Sequence, residues 1–151
     1  MGLTLTYPNP AGKTLYLGDT FYNYRAWDGK KWVYYHFHYV NGRWIHGGND
    51  IHGNYGQPLV ACYPGKIVWV DEGAAFGQHQ FKIVDAFGRE FHYKHTLDRP
   101  PNGIHVNAGT HICHLGNSGT RAAHLHFEIR ARNDKNSVIN PRQYLLAARA
   151  R

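Results

Sequence analysis

Histidine is the residue type best placed to do chemistry in this chain, with twelve in 151 positions against three glutamates and two serines. Imidazole is the commonest metal ligand and the side chain whose charge changes near neutral pH. Two groups stand out by spacing. In His46-Gly47-Gly48-Asn49-Asp50, an imidazole and a carboxylate lie four residues apart, on one face of a helix or an extended strand. The glycine pair argues against the helix. In His124-Leu125-His126, followed by Phe127-Glu128-Ile129, the run is β-rich. Both imidazoles should share a face, with Leu125 turned to the core. Three such side chains would fill three positions of a tetrahedral zinc site, at roughly 2.0–2.2 Å, and leave the fourth for water. A further histidine off the metal could then handle a proton. Other doublets exist, at His36 and His38, His92 and His95, and His111 and His114. His36 and His38 share a strand face and could form a site of their own. Spacing alone therefore points to zinc and leaves the ligands open.

Other chemistries find little support. The chain has no HExxH, no Gly-x-Ser-x-Gly and no phosphate-cradling glycine loop. Ser118 and Ser137 are the only serines. Asp71 and Glu72 are adjacent, so in a strand they point to opposite faces rather than forming a glycosidase pair. The net charge of +7 comes from Lys and Arg scattered mostly singly, apart from a basic tail between Arg142 and Arg151. Without a recognition helix or RNA-binding motif, no nucleic-acid partner is expected, and the charge suits an anionic wall polymer. No apolar run approaches a membrane span. The first eight residues lack a basic n-region and a sustained apolar stretch, so they read as no signal peptide. Export would then rely on a removed signal, on phage lysis or on assembly into a virion. Cys62 and Cys113 carry no metal spacing, and their redox state stays open.

The elements that must position these residues are strands. Eleven tyrosines, four tryptophans and seventeen glycines favour strands broken by tight turns. Lys31–Val40 reads as one alternating strand, and Asn41-Gly42 as a tight turn into Arg43–Ile45. Further strands are expected at Leu59–Cys62, Lys66–Val70, Gln80–Asp85, Glu90–His95, Thr110–Leu115 and Leu125–Arg130, with a helix from about Pro141. The expectation is one all-β domain over 1–151: N-terminal strands to about 45, then a metal-binding core over about 46–146. It should be compact, mainly antiparallel and monomeric, with a short C-terminal helix.

The order of the motifs resembles the lysostaphin/LytM family of zinc endopeptidases. His46 to Ile51 is similar to its H-x-G-x-D-I motif. Pro58–Ala61 with Gly65–Val68, and Tyr93-Lys94-His95, resemble its next strands. Val106–Gly109 and Gly116–Gly119 are similar to its turns, His124–Glu128 to its H-L-H-F-E signature, and Asn140–Leu145 to its closing segment. Upstream, Gly18–Arg25 is only loosely like the family's entry motif. The sequence departs at Thr120–Ala123, where the family carries Gly-Pro, and at Cys113, where it carries Gly.

The resemblance implies a groove across the sheet, one zinc per chain held by His46, Asp50 and His126, and His95 and His124 as catalytic histidines. It implies cleavage of peptidoglycan peptides, in the stem peptide or cross-bridge, at a cell-wall, periplasmic or extracellular location, with a phage lysin among the options. The competing expectation is a non-catalytic relative that binds the wall or regulates another wall hydrolase. Family members of that kind usually have broken ligand motifs, and all five positions are intact here. Glu128 shares the face of His124 and His126, and reads equally as a partner to a ligand or as an exposed carboxylate.

Overall fold

The computed structural model describes residues 2–11 and 20–151. Gly18 and Asp19, which open the loosely matching upstream motif, lie outside them. Two hairpins come first. Arg25–Trp27 (β1) pairs with Trp32–Tyr34 (β2), over a turn in which Asp28 Oδ1 accepts the backbone N–H of Lys30 and Lys31. His38–Val40 (β3) pairs with Arg43–Ile45 (β4) through Asn41-Gly42, both at positive φ (52° and 79°), as a two-residue hairpin requires. The single strand expected over Lys31–Val40 is therefore two. The break falls where the Tyr35 N–H bonds Tyr24 O at 2.8 Å, after which His38 turns inward.

The remaining strands are Asn49–His52 (β5), Pro58–Val60 (β6), Gly65–Trp69 (β7), Phe81–Val84 (β8), Glu90–Lys94 (β9), His105–Val106 (β10), His111–His114 (β11), His124–Arg130 (β12) and Val138–Ile139 (β13). A 3-10 turn at Ala74–Phe76 and the helix Arg142–Ala150 (α1) complete the described elements. Seven of the described strands build one antiparallel sheet, ordered β10-β7-β8-β9-β12 with β5 and β13. β5 and β13 share the far edge of β12, opposite its two halves. β6 and β11 form a separate antiparallel pair. An all-β, mainly antiparallel domain with one short C-terminal helix is what the sequence led us to expect.

Strand alternation gives the sheet two unlike faces. Leu125, Phe127 and Ile129 of β12 join Phe91, Tyr93, Phe81 and Ile83 in the apolar core, closed by Leu59, Leu115 and by Leu145 of α1. Tyr93 is wholly buried there, its hydroxyl donating to Val60 O and accepting from the Cys62 N–H. Cys62 and Cys113 are both buried and free. The other face carries His124, His126, Glu128 and Arg130 of β12 beside His92 and Lys94 of β9, and all of these are buried. Phe37, His38, Glu72 and Phe76 roof it, with Lys94 Nζ 3.8 Å from the Phe76 ring centroid. Buried charge is tolerable only when paired. Arg130 bonds Glu72 through two nitrogens at 2.8 Å and Glu128 at 2.8 and 3.0 Å, while Lys94 donates to Glu72.

Candidate metal centre

Three of the residues singled out by sequence meet on the polar face. Asp50 of β5 stands directly across from His126 of β12 in the antiparallel register, and His52 across from His124. His46 reaches the same point from the loop before β5, where Gly47 has a φ of 80°. At Gly48 a side chain would have no room. An added Cβ would lie 2.6 Å from Phe127 O and 3.0 Å from His126 Cε1, so the glycine lets the loop close onto β12. His126 Nδ1 is 3.0 Å from His46 Nε2 and 3.2 Å from Asp50 Oδ1, and His46 Nε2 is 3.3 Å from that same oxygen. Among the described residues this is the one group of three such donors able to hold a metal ion.

The partners of these rings fix which nitrogens face inward. A carbonyl oxygen only accepts, so His46 Nδ1–H donates to Gly48 O (3.0 Å) and Nε2 presents its lone pair to the centre. Glu128 Oε1 receives His126 Nε2–H at 2.7 Å, which leaves Nδ1 as the donor atom. Two imidazole nitrogens and a carboxylate oxygen are the ligand types of a zinc site. Their separations approach the edge of a tetrahedron of that size, about 3.4 Å for bonds of about 2.1 Å. The donor set therefore fits zinc.

His95 and His124 flank the triad, their ring centroids 4.8 Å apart. His95 follows β9 at a φ of 66°, held by its own N–H to Phe76 O and by Nδ1–H to Ser118 O at 2.7 Å. His124 Nδ1–H bonds Ala122 O at 2.9 Å, and its Nε2 lies 3.7 Å from Asp50 Oδ1. In both, Nε2 is the nitrogen left for a substrate. The site opens into a groove of about 720 Å³, walled by Trp27, Tyr35, His36, Phe76 and Arg121. His52 stacks on His124, with centroids 5.1 Å apart.

Electrostatics sorts the histidines. Burial, with His126 and His124 adding to it, pushes His95 down to about 3, and burial also lowers His124. Burial opposes charge on His126 too, but Asp50 and Glu128 outweigh it and raise that imidazole to about 9 in the absence of metal. Asp50 stays well below the usual carboxylate range because His46 and His126 overcome its burial.

Several residues at the site escaped the sequence reading. His38 does not form a centre with His36. Its Nε2 meets Glu128 Oε1 at 2.7 Å, while His36 lies beside Trp44 on the groove side. The expected shared face is lost at the break between β2 and β3. Of the two roles the sequence left open for Glu128, the exposed carboxylate is excluded: it is wholly buried and bonded to His126. Lys94, Arg130 and Glu72 complete its surroundings, and the period-two run from His124 to Arg130 was the available signal for Arg130.

An antiparallel sheet with a His, Asp, His donor set at the floor of an open groove defines a β domain of the lysostaphin/LytM kind. The chain belongs to peptidase family M23, whose family model matches residues 44–141. It is 35% identical over 104 residues to a lipoprotein NlpD/LppB homolog of Pseudomonas aeruginosa, covering 65% of this chain and 32% of that protein. It is 34% identical over 106 residues to the murein hydrolase activator NlpD of Escherichia coli K12, covering 66% and 26%. The match thus spans about a third or less of those relatives. Among solved structures, the catalytic domain of the antimicrobial peptidase lysostaphin from Staphylococcus simulans superposes with a TM-score of 0.60 at 28% identity, covering 76% of this chain and 90% of that one.

Proposed function

We propose that this chain is a zinc-dependent endopeptidase that hydrolyses peptide bonds of bacterial peptidoglycan, in the stem peptide or the cross-bridge. The observation that carries the proposal is the convergence of His46 Nε2, Asp50 Oδ1 and His126 Nδ1 beneath His95 and His124. His46, Asp50 and His126 would hold one zinc ion per chain. Bound zinc supplies Lewis-acid activation of a peptide carbonyl and of the attacking water. His95 and His124, kept neutral by burial, each offer Nε2 as a base for the water's proton. The backbone carbonyls of Ser118 and Ala122 keep Nδ1 protonated, so the ring that takes the proton can pass it on from Nε2 to the departing amine. In that protonated form the same ring stabilises negative charge on the former carbonyl oxygen. The open groove admits an extended peptide, and its setting would be the cell envelope or the extracellular space, phage lysis included.

Replacing His95 by Ala tests this. The variant should retain one zinc per chain by elemental analysis and lose roughly 10²–10⁴-fold in release of soluble fragments from purified walls. Equal release by wild type and variant would overturn the peptidase reading. A second reading, stimulation of another wall hydrolase, is favoured by the name of the Escherichia coli relative. It predicts that the His95→Ala protein still accelerates a separate hydrolase on the same walls.

A further inference from the structure

The two N-terminal hairpins carry aromatic side chains that the core does not use. Tyr24, Tyr34, Tyr39 and Trp44 are each 38–59% exposed. They are ordered against one another. Tyr24 and Tyr34 stack at 5.7 Å and 20°, and Tyr39 meets Trp44 at 5.0 Å. The Arg43 guanidinium lies 5.3 Å from the Tyr24 ring, and that of Arg25 5.3 Å from Trp32. A shallow cavity of about 400 Å³ sits among Tyr24, Tyr34, His36, Arg43 and Trp44. Tyr34 and His36 also line the groove over the metal centre, so cavity and groove share a wall.

Single exposed aromatics need no explanation, but a contiguous set on one surface marks an interaction site. The chemistry of this one selects its occupant. The negative π faces suit a flat partner that presents weakly positive C–H groups, as a pyranose ring does. The cation–π contacts hold the rings in place, so little freedom is lost on binding. Guanidinium and phenol donors surround the rings and match hydroxyl and N-acetyl oxygens. A lipid tail or an apolar protein face would bury those donors unpaired. We propose that this platform is a subsite for the N-acetylated amino-sugar strand of peptidoglycan. It rests on the reading of the groove as a peptidoglycan-peptide site. The peptide in the groove is covalently joined to that sugar strand, and the shared wall at Tyr34 and His36 lies where the two would part.

The probe is a soluble N-acetylglucosamine hexamer, titrated by calorimetry into the full chain and into a Tyr24→Ala/Trp44→Ala variant. Wild type should bind it, and the variant should lose at least about tenfold in affinity. A Trp44→Phe variant keeps a flat ring and should retain binding, which separates stacking from misfolding. Cleavage of a sugar-free wall peptide should run at the same rate in wild type and the double variant, while fragment release from intact sacculi falls in the latter. Hexamer binding without peptide cleavage by wild type supports the platform and overturns the peptidase reading. Peptide cleavage without hexamer binding overturns the platform. So does a concentration-dependent dimer, seen by sedimentation, that the double variant abolishes, since it assigns the rings to a second copy.

Discussion

Glu128 gathers two imidazole N–H groups on one carboxylate oxygen, those of His126 and His38, while its other oxygen receives Arg130. Removing that anion leaves Arg130 and Lys94 to share Glu72 alone. Glu128→Ala should therefore cost about 3–5 kcal/mol in urea unfolding, because buried cations lose a partner. Glu128→Gln keeps the shape and weakens the hold on His126, so zinc affinity, measured by chelator competition, should fall roughly 10–100-fold. The buried histidines also shape the pH profile of the metal-free protein. Burial pushes His92 down to about 4 and His95 to about 3, so both stay neutral in the fold and take up protons on unfolding below pH 6.5. Stability is then lost as pH falls from 6.5 toward 4, each contributing up to about 1.4 kcal/mol per pH unit. His126 works the other way. Raised to about 9, it contributes stability that is fully present below pH 6.5 and is lost as pH rises through 9. Urea unfolding in chelator across pH 4.5 to 9 should thus peak near 6.5, and His92→Gln should flatten the acid limb by about one proton.

At the scale of elements, β12 is the spine, since β9 pairs along one edge and β5 and β13 along the other. Its contact with the loop at Gly48 leaves no room for a side chain beside His126. Gly48→Ala should push against Phe127 O and the His126 ring, costing about 1–3 kcal/mol in thermal unfolding and lowering zinc content. β12 was legible in the sequence because β-rich alternation and the His124-Leu125-His126 spacing agree. β5 carries little strand signal of its own, since Gly47 and Gly48 mask it, and its ladder comes from β12, between 72 and 78 positions away in sequence. The Asn41-Gly42 turn was plain from its residues, whereas the break before His38 depends on bonds to Tyr24 and Glu128 that no local pattern carries. Alternation also left the role of Glu128 open, because it separates two faces and does not say that a roof will cover the polar one. The pairing of His46 and Asp50 with His126 came from family likeness, since the other doublets had equal claim on spacing.

For the whole molecule, the formal charge of +7 sets the long-range behaviour. Adsorption to anionic walls should weaken as ionic strength rises, because the Debye length shrinks from about 10 Å at 0.1 M to about 3 Å at 1 M. Co-sedimentation with purified walls over that range measures it. Sugar-free peptide cleavage should change far less, since the proposed metal centre of His46, Asp50 and His126 is buried and compact. The shared oxygen of Glu128 has a further consequence. It joins His126 of the proposed zinc site to His38 on the β3–β4 hairpin, so ion occupancy and hairpin opening would draw on the same acceptor. Coupling of this kind is reciprocal. Chelation should speed amide hydrogen exchange at Tyr39 and Ile45 while leaving Ile83 and Phe91 unchanged, making the hairpin a gauge of the ion. Conversely, whatever clamps the hairpin from outside should slow the ion's escape, so a chain engaged on its polymer would keep its zinc longer than one free in solution.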